Sequence, residues 1–216
     1  KLGTQVNFDY VKNDLNKTFS LNYIFEMGSD NIKKLGLPVD YLKFLGTDKY
    51  TAEDLQKEFY KLGLSFGVST GRDRVFVTLS GLEDNLEKGV GLFEHVLANI
   101  KGNKEAYKEF VANILQERAN AKLNKSQILH RAMAHYAKYG AKNPFNNVIS
   151  KAELESTSPD ELVQLVQSLL GYKHKVFYYG NLDAATALAS VAKYHKPKAA
   201  LKDYPTAIEY PELDNK

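Results

Sequence analysis

The chain contains no cysteine in 216 residues. Disulfide staples, thiolate zinc sites and cysteine nucleophiles are therefore excluded. No apolar run approaches the length of a membrane span, and no stretch reads as a signal peptide. Charge of one sign is also lacking: 29 lysines and arginines stand against 26 acids, for a net +3. That balance is too even for a nucleic-acid or acidic-membrane partner, which needs a concentrated basic face. The short run His195-Lys196-Pro197-Lys198 reads as a solvated surface turn. What remains is an ordinary globular composition, 44% hydrophobic and 25% charged, long enough to bury a core as one domain. The chain opens at Lys1 and closes in a polar, proline-containing tail from Tyr204 to Lys216. It is expected to be a piece of a longer protein, with residues 1–200 as one domain and 201–216 as a linker toward the next.

Hydrophobic periodicity supplies the elements. Val6, Phe8 and Tyr10 suggest one strand, and Phe19, Leu21, Tyr23 and Phe25 alternate as a second with one buried face. Residues 32–46 look helical, with Pro38 near a start or a kink. Thr51 is an N-cap for a helix carrying Leu55, Phe59 and Leu62, stopped by Gly63. The alternations over 64–68 and 75–79, with Gly71 between them, make a hairpin. Leu82, Leu86, Val90, Phe93, Leu97 and Ile100 step along one helix face. A second long helix starts near Tyr107, and 126–139 continues in helical character. Ser158-Pro159-Asp160-Glu161 is a helix start with a capping box. A strand over 176–179 and a helix over 184–194 close the pattern. Consecutive helices without intervening strands argue against a doubly wound sheet. The class is α+β, with several helices packed on an antiparallel or mixed sheet.

Chemistry-bearing motifs are scarce. His95, His130, His135, His174 and His195 form neither an HxxEH nor an HxxxH pattern. On a regular helix His130 and His135 lie about 140° apart, too far to share a metal. Surface or hydrogen-bonded histidines are expected. Ser69, Ser80 and Ser126 have no nucleophile motif around them, and Gly63 to Gly71 lacks phosphate-loop spacing. Tyr178 and Tyr179 suit a core or sheet face better than base stacking.

One ordered set of landmarks resembles a known family. Phe44-Leu45-Gly46-Thr47, the helix from Thr51 to Gly63, Ser69-Thr70-Gly71-Arg72-Asp73 and Leu79-Ser80-Gly81 carry the likeness. It continues through Leu82-Glu83-Asp84-Asn85-Leu86, Pro159-Asp160-Glu161-Leu162 and Tyr178-Tyr179-Gly180-Asn181. Together they resemble peptidase family M16, the zinc metallopeptidases that include insulinase, pitrilysin and mitochondrial processing peptidase. The resemblance implies that family's α+β fold over most of residues 17–195.

Active members read HxxEHxxFxGT where this chain keeps only the Phe-x-Gly-Thr end. The two histidine positions fall on Leu37 and Tyr41, and the glutamate between them on Asp40. The family's third ligand, a later glutamate, falls at about the separation of Glu117 from Tyr41. Leucine has no lone pair, neutral tyrosine is a poor ligand, and catalytic zinc needs three protein ligands and a water. The resemblance thus implies a domain with no catalytic residue, no metal and no cofactor of its own. Zinc is expected in the active domain of the parent protein, a zinc metalloendopeptidase. The implied partners are the other domains of the same polypeptide and a peptide substrate held jointly with them, within an enclosing chamber. Alternatives are a non-proteolytic assembly subunit of the same superfamily or an enzyme with another catalytic set. Compartment stays open, with a periplasmic or secreted parent compatible with family habit.

Overall fold

A computed structural model describes residues 1–214. Five strands, β1 (Asn7–Lys12), β2 (Thr18–Phe25), β3 (Leu64–Thr70), β4 (Val75–Leu82) and β5 (Lys175–Gly180), form one sheet in the order β1-β5-β2-β4-β3. β2 pairs antiparallel with both β4 and β5, β3 pairs antiparallel with β4, and β1 pairs parallel with β5. The sheet is thus mixed, the second of the two expected forms. The parallel pair joins the two ends of the chain, which no local pattern announces.

Alternation sets the buried face. Phe19, Leu21, Tyr23 and Phe25 on β2 are buried, as are Val75, Val77 and Leu79 on β4 and Val176 and Tyr178 on β5. Against this face packs α3 (Leu86–Asn99), whose Leu86, Val90, Phe93, Val96 and Leu97 point inward. The α3 helix begins after a 3-10 turn at Glu83–Asn85, four residues later than the apolar stripe from Leu82 suggests. α8 (Pro159–Leu169) and α9 (Ala184–Tyr194) flank α3.

Local cap chemistry places several helices. Thr51 accepts the Asp54 amide proton at the head of α2 (Ala52–Lys61), and Gly63, at φ 63°, turns the chain into β3. Ser158 accepts from the Glu161 amide of α8 at 3.1 Å. The reciprocal half of the expected box is not made, because the Glu161 carboxylate takes Lys34 Nζ at 2.8 Å. A complete capping box, unforeseen although its Ser-x-x-Glu pattern is in the sequence, starts α7 (Lys151–Ser156) from Ser150 and Glu153.

Two expected helices are broken. Residues 32–46 divide into a 3-10 turn at Lys33–Leu35, α1 (Gly36–Tyr41) and a second 3-10 turn at Leu42–Phe44. Pro38 sits in the first turn of α1, where its missing N–H costs no helical bond. After α4 (Lys104–Ala121), a short α5 (Lys125–Gln127) runs into a π-helical stretch, Ile128–Met133, and then α6 (Ala134–Tyr139). None of the residues of the π stretch or of α6 is buried.

Candidate functional site

Leu37 and Tyr41 lie four residues apart on α1, so they share a face. Both turn inward, at 7% and 0% exposure. The Tyr41 hydroxyl donates to the Asn103 carbonyl at 2.5 Å and accepts from the Asn103 amide at 2.8 Å. Asn103 is the N-cap of α4, with its side chain accepting from the Ala106 amide. The Tyr41 ring packs edge-on against Tyr107, centroids 5.4 Å apart, and beside Phe110 at 5.7 Å. Burial raises the phenol pKa above its usual value.

Asp40 faces outward and is exposed. Glu117 is exposed on α4, seven residues past Phe110, or about 10 Å further along the axis. The fold therefore brings Tyr41 to the first turns of α4 and places Glu117 two turns beyond. Among the described residues, no group of three or more His, Asp or Glu side chains is placed to hold a metal ion. The Phe44-to-Thr47 end makes a tight turn: Thr47 donates its amide to the Tyr50 carbonyl, and its hydroxyl oxygen accepts from the Lys49 and Tyr50 amides.

The histidines fall into two groups. His174, before β5, and His195, at the end of α9, are buried at 4% and 2% exposure, with Nε2 atoms 2.9 Å apart. His195 Nδ1 lies 2.7 Å from Glu94 Oε1, and Tyr23 donates to the same oxygen at 2.6 Å. His174 Nδ1 lies 2.7 Å from the Tyr172 carbonyl, which fixes that nitrogen as a donor and leaves Nε2 to accept. Burial pulls the His174 pKa down to about 4, with the carbonyl bond opposing and His195 adding to the shift. The surface-turn reading of His195 to Lys198 holds at Lys196 and Lys198, which are exposed, and is corrected at His195, which is a core residue. Its partners are 21 and 101 residues away in sequence, beyond the reach of a local charge pattern.

His130 and His135 lie in the exposed segment. The regular-helix angle between them does not hold, because a π-helical stretch begins before His130. His135 Nδ1 is 2.8 Å from the Arg131 carbonyl.

A buried carboxylate that sequence reasoning did not single out joins two distant landmarks. Glu83 Oε1 accepts the Asn181 amide at 2.5 Å, the Leu182 amide at 2.8 Å and the Tyr178 hydroxyl at 2.5 Å. A side chain at Gly180 would fall on that hydroxyl. Glu83 thus ties the end of β4 to the β5–α9 turn. Burial is the largest cause that raises the Tyr178 pKa, followed by the bond to Glu83.

β3 has β4 as its only strand neighbour among the described residues. Gly63 and Leu82 bond at one end of this hairpin and Gly71 and Arg74 at the other. Ser65, Gly67 and Ser69 therefore bond inward to β4, while the backbone groups of Leu64, Phe66, Val68 and Thr70 point to the open edge. A cavity of about 360 Å³ lies between β3 and α2, lined by Leu42, Leu55, Phe59, Phe66 and Val68 among others. An open strand edge with an apolar trough at its side suits an extended peptide.

A mixed sheet with α3 packed on its buried face, and α8 and α9 beside α3, defines an α+β domain. The model of the insulinase family, peptidase family M16, matches residues 25–151, more than half of the chain, and the chain belongs to that family. A Rickettsia felis protein described as an uncharacterized zinc protease is 27% identical over 116 residues, 51% of this chain and 28% of its own length. The solved peptidase M16 inactive domain from Pseudomonas fluorescens superposes with a TM-score of 0.75 at 18% identity. That match covers 96% of this chain and 53% of the other. A protease from Helicobacter pylori gives 0.75 at 15% identity, covering 98% and 53%. At those identities the two structures establish the fold. The chain spans about a quarter of the Rickettsia protein and about half of each solved chain. No helix among the described residues is long and apolar enough to cross a membrane.

Proposed function

We propose that this chain is a non-catalytic domain of a zinc metallopeptidase, forming part of a peptide-enclosing chamber and supporting the active half. The observation that carries the reading is Tyr41. At the second histidine position of the family motif stands a buried phenol whose hydroxyl already serves both backbone groups of Asn103. The donor set does not fit zinc: Leu37 has no lone pair, the Tyr41 oxygen is engaged, and Glu117 sits two turns beyond. In active relatives a metal would tie the motif helix to the glutamate helix; here Tyr41, Tyr107 and Phe110 tie α1 to α4 directly. Zinc then belongs to another domain of the parent polypeptide, and this domain contacts the peptide jointly with that domain.

The open β3 edge is the contact we assign to the peptide, by strand addition with apolar side chains entering the adjoining trough. Residues 1–200 are the domain proper, and 201–216 lead toward a following one. That segment is first held against the body at Lys202, Ile208 and Leu213, and its residues 215 and 216 lie outside the described residues.

The test has two arms. The chain alone, purified in the presence of zinc, should carry no stoichiometric metal by elemental analysis and should cleave no peptide. One zinc per chain with chelator-sensitive hydrolysis would sink the proposal. In the parent protein, deleting this domain should abolish peptide hydrolysis while the zinc-bearing domain keeps its metal. Full retention of hydrolysis would favour an assembly role instead.

A further inference from the structure

Between Glu117 and Glu153 the sequence holds no carboxylate side chain, while Lys122, Lys125, Arg131, Lys138 and Lys142 all fall there. The even charge balance of the whole chain conceals this basic stretch. It contains the α5–α6 arm, on which Ile128, Leu129, Met133 and Tyr136 are 46%, 51%, 58% and 62% exposed. Four large apolar side chains standing in water on one short helical arm, in a segment whose charged side chains are all basic, form a patch of the kind that marks an interaction surface. The π-helical winding contributes, since its i→i+5 turn brings Ile128 and Met133, five residues apart, closer to one face than a regular helix would. The patch is shaped as well. Ala132, Met133, Tyr136 and Ala137 from the arm and Phe145 from the following turn enclose a notch of about 400 Å³.

The chain displays a specimen of what this arm accepts. Its own tail, Ile208-Glu209-Tyr210-Pro211-Glu212-Leu213-Asp214, is extended, acidic and apolar by turns, and it lies against the end of α6. The Leu213 amide donates to the Lys138 carbonyl at 2.8 Å, and Glu212 pairs with Lys138 Nζ at 2.7 Å. Tyr210 meets the Tyr139 ring edge-on and lies under the Arg72 guanidinium. The tail covers the Lys138–Gly140 end of the arm and leaves Met133 and Tyr136 exposed.

We propose that the notch formed by Met133, Tyr136, Ala137 and Phe145, on a segment whose charged side chains are all basic, docks an extended polypeptide segment bearing an apolar anchor flanked by carboxylates. A second copy of the arm is excluded as occupant by charge, since two basic arms would face each other. A concave notch beside a docked peptide strand also suits a polypeptide better than a flat lipid surface. The inference concerns a face other than the β3 edge and does not rest on the chamber role.

The probe is a short fluorescein-labelled peptide with phenylalanine and leucine set among glutamates, titrated with the whole chain and followed by anisotropy. Saturable binding should weaken as salt rises, and a glutamine-for-glutamate control peptide should bind at least about tenfold more weakly. Met133→Ser and Tyr136→Ser should each weaken binding by about tenfold. Arg131→Glu should weaken it and flatten the salt dependence. All three sites are exposed, so circular dichroism should show an unchanged fold. Absence of saturable binding, or equal binding by all variants, overturns the proposal. So does binding to phosphatidylglycerol vesicles without binding to the peptide, or self-association through the arm.

Discussion

α1 and the α5–α6 arm are both short helical segments, and they are built on opposite terms. α1 turns Leu37 and Tyr41 inward, and the one polar group of that face is bonded twice, to Asn103. The arm buries none of its large side chains and leaves four of them in water. A short helix is marginal by itself, so each must be held by something outside it. α1 is held by α4, β3 and α8. The arm is held by its neighbours in sequence and by the tail strapped across its end. The contrast teaches where the molecule has committed its side chains to the fold and where it keeps them available.

The comparison breaks most visibly at Tyr41. Tyr41→Ala removes a fully buried ring and leaves the Asn103 amide without its partner, while the Asn103 carbonyl keeps only the Tyr107 amide, and should cost about 3–5 kcal/mol in urea unfolding. Tyr41→Phe keeps the ring and should cost about 1–2 kcal/mol. A Tyr41→Phe variant as stable as the parent chain would sink the strut between α1 and α4.

The next effect is a pH dependence. His174 has a folded pKa of about 4, below its ordinary 6.5, because burial disfavours the charged ring. A depressed pKa means that the unfolded chain binds the proton first. Stability is therefore full above about pH 6.5 and falls as pH drops toward 4, by on the order of 2–3 kcal/mol. Tyr172, His195, Glu94 and Tyr23 are the polar or titratable groups around this site. Denaturant midpoints taken across this range should show the slope, and His174→Asn should flatten it. An equal slope in that variant would move the cause elsewhere.

The smallest effect sharpens the other side of the comparison. Met133→Ala and Tyr136→Ala on the arm should shift stability by no more than about 0.5 kcal/mol. A loss of several kcal/mol would mean that the arm belongs to the folding core after all.

Sequence reading reaches the elements whose signal is local and regular. The alternation of β2, the hairpin of β3 and β4, and the caps at Thr51 and Ser158 rest on neighbours within a few residues. The Ser150 capping box is equally local, but its Ser-x-x-Glu pattern precedes a helix of only six residues with little apolar periodicity to mark it. Tyr41 was legible as the absence of a ligand, yet its positive role needed Asn103, 62 residues on. Glu83 and His195 escaped because their partners lie about a hundred residues away, and a charged or basic residue in a polar run gives no sign of facing inward. The parallel pairing of β1 and β5 is likewise a property of the closed fold. The basic arm was visible as a gap in the carboxylates, once charge was considered by segment instead of as a total.

That parallel pair has a consequence for handling the molecule. β5 lies inside the sheet only because β1 covers it from Asn7 to Lys12. Trimming the chain past Lys12 would remove no core helix, yet it would bare a strand reading Val176-Phe177-Tyr178-Tyr179 along its whole length. Such an uncovered, apolar template recruits other chains edge to edge. The six residues Asn7–Lys12 thus act as a guard against aggregation.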